Sequence, residues 1–132
     1  MKRITVFLAA LIAGISLWCG GSAEKVITLT FTGDCTLGAE EETRYYPGSF
    51  QRTAEEQGYS YFFRNFRELF SQDDCTVVNC ECVLSDSRDG EMTSKTFRFR
   101  GPEDFVNILT EGSVEAVSLA NNHTRDYGWP GL

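Results

Sequence analysis

Long hydrophobic runs are scarce in this 132-residue chain. The one extended stretch, Ile4 to Trp18, covers 15 residues, short of the roughly 20 that a membrane-spanning helix needs. Histidine is nearly absent. His123 stands alone, and a lone histidine is structural more often than catalytic, so its surroundings must carry any functional reading. No Cys-x-x-Cys spacing occurs among the five cysteines, which argues against a zinc-thiolate site. Basic residues are few, 12 against 19 acidic. An acidic surface repels nucleic-acid phosphate and anionic lipid, so no nucleic acid is expected as a partner. Low-complexity tracts and internal repeats are missing too.

What is present begins with a leader. Lys2 and Arg3 precede the apolar stretch, and Gly20-Gly21-Ser22-Ala23 follows it, with Gly21 and Ala23 where a signal peptidase reads small residues. Residues 1–23 are therefore expected to be a signal peptide, with an uncleaved anchor as the alternative. A lipoprotein reading through Cys19 is weak because bulky Leu17 and Trp18 precede it. The expected location is exported: extracytoplasmic, secreted or membrane-associated. Without Lys2 and Arg3 the formal net charge moves from −7 to −9. Any anionic substrate then needs positive charge from a metal or from arginines. Cys35, Cys75, Cys80 and Cys82 remain, enough for two disulfides in three pairings, or for small buried apolar side chains. On a straight strand Cys80 and Cys82 share a face and do not readily bond each other.

The pattern along residues 24–132 alternates strand and helix. A first strand is expected over 26–32, with Ile27, Leu29 and Phe31 on one face. Residues 38–57 are polar, with Glu40-Glu41-Glu42 and Tyr45-Tyr46-Pro47-Gly48, and are expected to be irregular. Ser60 can cap a helix to about Ser71, with Phe62, Phe66, Leu69 and Phe70 as an apolar stripe. A second strand, 75–80, follows. Residues 85–95 are a polar loop. Thr96 to Arg100 alternates, with Phe97 and Phe99 facing away from Arg98 and Arg100. Pro102 then opens a helix, favoured by Glu103 and Asp104 near its amino end and stopped by Gly112. The third strand is 114–120. Strand, crossover and strand favour parallel pairing. The fold class is thus α/β of βαβ type, and it looks incomplete. Residues 24–132 are expected to be the amino-terminal part of a larger domain.

Each strand ends in residues that can bind metal or move protons. Parallel strands place these ends along one edge, where open α/β sheets build their sites. Asp34 follows Gly33, and its oxygens suit divalent ions, although Gly-Asp alone more often makes a turn. Asn79 and Glu81 flank Cys80 and share a face. Glu81 could ligate a metal while Asn79 orients it from one pleat deeper. Asn121-Asn122-His123 is the sharpest signal, with Asp126 three residues on, where it could accept the second ring proton of His123. Arg98 and Arg100 could contact an anionic substrate. Cys35 could be a nucleophile only with a nearby base.

These residues carry a resemblance. Phe31-Thr32-Gly33-Asp34-Cys35-Thr36-Leu37-Gly38 resembles the opening FxGDxxLG of bacterial poly-gamma-glutamate capsule biosynthesis proteins of the CapA type. Asn79-Cys80-Glu81 is similar to their NLE, and Phe97 to Pro102 to their FRxxP. Ser118 to Gly128 is close to their SLANNHxxDYG. That family is similar in fold to calcineurin-like metallophosphoesterases, a sheet sandwich flanked by helices. The resemblance implies the parallel-strand half of such a sandwich. It implies a divalent metal (Mn, Fe, Zn or Mg) held by Asp34, Glu81, Asn122 and His123, with His123 and Asp126 catalytic. It implies a phosphoester or anionic polymer as substrate, and other capsule-synthesis membrane proteins as partners. A non-catalytic accessory that binds or exports the polymer is the alternative. Two departures stand out: Thr36 replaces the histidine of the metallophosphoesterase Asp-x-His, and Cys80 replaces leucine. Further histidines of that fold come from a second half absent here.

Overall fold

The apolar run Cys75–Cys80 becomes the central strand of the molecule. The structure, a computed structural model, describes residues 24–132. The leader expected over residues 1–23 lies outside the described residues. In chain order the strands are β1, Leu29–Cys35, β2, Cys75–Cys80, β3, Val83–Leu84, β4, Arg100–Gly101, and β5, Ala116–Ser118. The α-helices are α1, Phe50–Gln57, α2, Arg67–Phe70, and α3, Val106–Glu111. The main sheet has the order β1-β2-β5 and is parallel throughout. A short parallel pair, β3 with β4, sits beside it. The α/β class and the parallel pairing expected from the sequence are both present, consistent with one part of a metallophosphoesterase-like fold. Among the described residues, no helix is long and apolar enough to cross a membrane.

Strand β2 alternates as its sequence requires. Thr76, Val78 and Cys80 are buried, while Cys75, Val77 and Asn79 are half-exposed on the other face. The buried face meets Leu37, Phe70, Phe105, Ile108, Leu109 and Val114. The opposite face carries Leu29 and Phe31 from β1, 54% and 70% exposed. The register shifts between Phe31 and Asp34, so that Asp34 pairs with Asn79. This irregularity brings the Asp34 carboxylate level with the end of β2. Strand β1 therefore runs about three residues later than the spacing predicts, and Asp34 lies within it. Strand β5 is shorter than the expected 114–120 at both ends, and before it the Glu115 side chain accepts a hydrogen bond from the Thr76 N–H at 2.7 Å.

Two expectations fail locally. The helix expected from Ser60 to Ser71 is a single 3-10 turn, Tyr59–Tyr61, followed by the four-residue α2. Aromatic residues lose side-chain freedom in a helix, and here their rings go to separate neighbours. Phe62 stacks on Phe50 at 4.2 Å, Tyr59 meets Phe105 edge-on at 5.9 Å, and Phe63 meets Phe70 at 5.8 Å. Phe66 and Leu69 are exposed as a result, not part of a buried stripe. Conversely, the polar segment 38–57 contains α1. Ser49 caps it, accepting the Arg52 N–H, and Pro47-Gly48 ends the preceding turn.

Gly38 and Gly101 hold the two sheets together by close backbone approach. A side chain on Gly101 would meet the Leu37 carbonyl oxygen at 2.2 Å, and one on Gly38 would meet the Arg100 carbonyl carbon at 2.5 Å. Ala39 bridges Arg100 at the same place. Gly101→Ala is expected to destabilise the fold by about 1–3 kcal/mol through overpacking, read as a lower urea midpoint. An unchanged midpoint would show that the contact is not tight.

Candidate functional site

Side-chain amides tie the three strand ends together. The Asn79 side-chain NH2 donates to Asp34 Oδ1 at 2.7 Å, and Asn79 Oδ1 accepts from the Asn121 NH2 at 2.9 Å. That NH2 also donates to the Cys80 carbonyl at 2.9 Å. At its other end, Asn121 Oδ1 accepts the His123 backbone N–H at 2.9 Å. This last bond is an Asx turn, an Asn side chain bonding the backbone two residues on. It folds the chain back after β5 and aims the histidine.

His123 is then fixed by a buried carboxylate. Its Nδ1 lies 2.7 Å from Asp126 Oδ2, and Asp126 has no solvent exposure. Asp126 Oδ2 also accepts the Phe99 N–H at 2.8 Å, and Lys95 Nζ reaches Oδ1. The Phe99 ring lies against the imidazole, centroids 4.5 Å apart. A carboxylate paired with Lys95 accepts, so the hydrogen-bond network assigns the ring proton to Nδ1. The lone pair on Nε2 is the one left for a proton or a cation. Carboxylate-oriented imidazoles of this kind are common metal ligands and acid–base groups.

The structure thus brings together Asp34, Asn79, His123 and Asp126 of the expected residues. Glu81 is adjacent in the chain, with its N–H donating to the Cys35 carbonyl at 3.1 Å, but its carboxylate is not drawn into the network. Asn122 is exposed and offers its carbonyl to Lys95 at 2.7 Å. Arg98 is held by Glu91, with Nε 2.9 Å from Oε1. Arg100 is buried and donates to Glu41 at 2.8 Å and to the Ser85 carbonyl at 2.6 Å. Both guanidinium groups are therefore engaged by the chain itself. Lys95 and Glu41 were not singled out as site residues from the sequence, and Asn121 was named only within the Asn121-Asn122-His123 run, without a role of its own. Only Asn121 had a signal: in the Asn-Asn-His run it alone lies two residues before His123, the spacing of an Asx turn.

The donor atoms suit a divalent ion in kind. In number they do not close a site, because among the described residues no group of three or more His, Cys, Asp and Glu side chains could hold an ion. Cys35 is a poor nucleophile, since burial and the neighbouring Cys80 push its thiol up to about 11.

A three-stranded parallel sheet with its polar residues at the strand ends defines the class as an α/β protein with an edge site. The chain belongs to the bacterial capsule synthesis protein PGA_cap family, whose model matches residues 28–132. It is similar to the PGA biosynthesis protein CapA of Bacillus subtilis (strain 168), 23% identical over 110 residues, covering 83% of this chain and 27% of that protein. It is also similar to the capsule biosynthesis protein CapA of Bacillus anthracis, 25% identical over 107 residues, covering 80% of this chain and 24% of that protein. The chain spans about a quarter of the length of these relatives.

Two outcomes test the site. Asp126→Ala leaves Lys95, the Phe99 N–H and His123 without their shared acceptor, and is expected to cost about 3–5 kcal/mol, measured by urea denaturation. The second concerns acid. Burial raises the Glu41 carboxyl, but the hydrogen bond and charge of Arg100, with help from Arg44, outweigh it and hold it below its ordinary 4.5. A depressed carboxyl gives stability that is present above its unfolded value and is lost as pH falls through the folded one. Wild-type stability should therefore drop below about pH 4.5 more steeply than that of Glu41→Gln. Parallel pH profiles would show that Glu41 carries none of it.

Proposed function

We propose that this chain is the amino-terminal part of an exported capsule-synthesis protein, extracytoplasmic and either secreted or membrane-associated. In this reading its strand-end rim is a metal-dependent, hydrolase-like site, akin to a metallophosphatase. The observation that supports it is the buried Asp126 holding Nδ1 of the only histidine, with Nε2 directed away from that bond. The substrate would be a phosphoester or an anionic polymer such as poly-gamma-glutamate, in keeping with the PGA in the name of one relative.

In this reading His123 takes or gives a proton at Nε2, while Asp126 keeps the other ring nitrogen protonated and stabilises the charged imidazole. Asp34, steadied by Asn79, Glu81, Asn122 and His123 would be this chain's contribution to a divalent cation site. That cation would neutralise charge on the substrate. Arg98 and Arg100 would reach an anionic group only by exchanging Glu91 and Glu41. Other capsule-synthesis membrane proteins would be partners.

A second reading has an observation in its favour: the described residues do not close a metal site. The protein would then be an extracytoplasmic accessory that binds or exports an anionic polymer without turnover. Metal analysis and hydrolysis of p-nitrophenyl phosphate separate the two. The hydrolase reading expects metal in whole-number ratio and activity lowered roughly 10²–10⁴-fold in His123→Ala. Polymer retention unchanged by chelator, with no hydrolysis in either form, would leave the accessory reading standing instead.

A further inference from the structure

The end of β2 carries a thiol pair that the proposed site does not use. A straight strand sets residues two apart about 6.6 Å from each other with parallel side chains, which keeps their sulfurs from meeting. Here the strand stops at Cys80, the chain bends through Glu81, and β3 begins at Val83. The bend turns Cys82 back over Cys80. Their Sγ atoms lie 3.9 Å apart, both are free, and both side chains are almost fully buried, 4% and 3% exposed. They also share a cavity of about 170 Å³ with Val83, Leu84, Leu109 and Val117. The two sulfurs therefore share one apolar recess and lie in van der Waals contact.

We propose that Cys80 and Cys82 are a redox-active pair that closes into a reversible disulfide. The oxidant is a disulfide, either a small-molecule one or that of a thiol oxidoreductase. One cysteine thiolate attacks a sulfur of the oxidant, forming a mixed disulfide and releasing the first thiolate. The second cysteine loses its proton to solvent and displaces the remaining half as a second thiolate. Two S–H bonds become one S–S bond, and the oxidant gains two electrons and leaves as two thiols. Bridging across a single residue strains the link. Strained disulfides are more readily reduced than structural ones, so the bond opens again in mixtures where an unstrained bridge stays closed. Glu81 is the residue enclosed, so closure fixes the corner at the end of β2.

The probe is oxidised glutathione, applied to the full folded chain. Remaining thiols are trapped with N-ethylmaleimide in guanidinium chloride, which unfolds the chain and exposes Cys80 and Cys82, and are counted by intact mass. The oxidised protein should lack two adducts that the reduced protein carries. Cys35→Ala and Cys75→Ala should lose the same two, and Cys82→Ser should stop at a glutathione adduct. Fragmentation of the wild-type peptide spanning residues 68–88 locates the bond without any variant. Full alkylation after oxidation, or a bond that engages Cys35 or Cys75, overturns the proposal.

Discussion

The structure turns on one buried negative charge. Asp126 has no solvent exposure and lies between a lysine, a backbone N–H and an imidazole. An isolated carboxylate in such a place would be strongly unfavourable, so its partners must be held in position. They come from two different stretches: Lys95 and Phe99 from the segment before β4, and His123 from the turn after β5. Meeting the needs of one carboxylate thus organises two loops that are about 27 residues apart in sequence. The same demand keeps His123 in one tautomer and one orientation. Organisation of the rim and orientation of its imidazole are a single physical requirement.

Much of this was readable beforehand, and the failures have local causes. The apolar run Cys75 to Cys80 located the second strand to the residue, and the structure buries one face of it, which leaves little freedom of register. The Pro102 to Gly112 segment was clear in its stop at Gly112, but its first turn, Glu103–Phe105, is a 3-10 turn and the α-helix begins only at Val106, which is exposed. The Ser60 to Ser71 helix failed because a stripe of phenylalanines fits several partners as well as it fits a helix. Pattern does not say that Phe62 will stack on Phe50. His123 and Asp126 could be paired from their three-residue spacing, and parallel strands place Asp34 and Asn79 at the same edge, but Asn79 was expected to orient Glu81 and bonds Asp34 instead. The bulge that sets Asp34 level with Asn79 could not be foreseen, because it depends on β1 lengthening beyond its apolar run.

Charge shows a similar division. The chain is acidic overall, yet its basic groups near the rim are not free on the surface. Arg100 and Arg44 are buried, and Arg98 is mostly covered, each against a glutamate. Alternating Phe and Arg between 97 and 100 reads as a strand with one charged face. In the structure that face is directed inward, toward Glu41 and Glu91, and only Arg100 and Gly101 pair as strand. Glu41, in the acidic run that looked like solvated loop, is there to meet Arg100. A sequence shows the sign of such groups, but not which of several glutamates will be the partner, because that depends on how the 38–49 loop returns to β4.

The asparagine doublet carries the last step of the argument. Asn121 and Asn122 are chemically identical and adjacent, yet the turn assigns them opposite tasks. Asn121 spends both ends of its amide on the framework: its NH2 on Asn79 and Cys80, its oxygen on the His123 N–H. Asn122 stays exposed and contributes only its carbonyl. A half-buried amide with both ends hydrogen-bonded resists movement, so Asn121 makes the turn rigid. Its neighbour's side chain is left unengaged at the edge, next to the imidazole that Asp126 has aimed. The first asparagine builds the rim, and the second leaves its side chain at the surface.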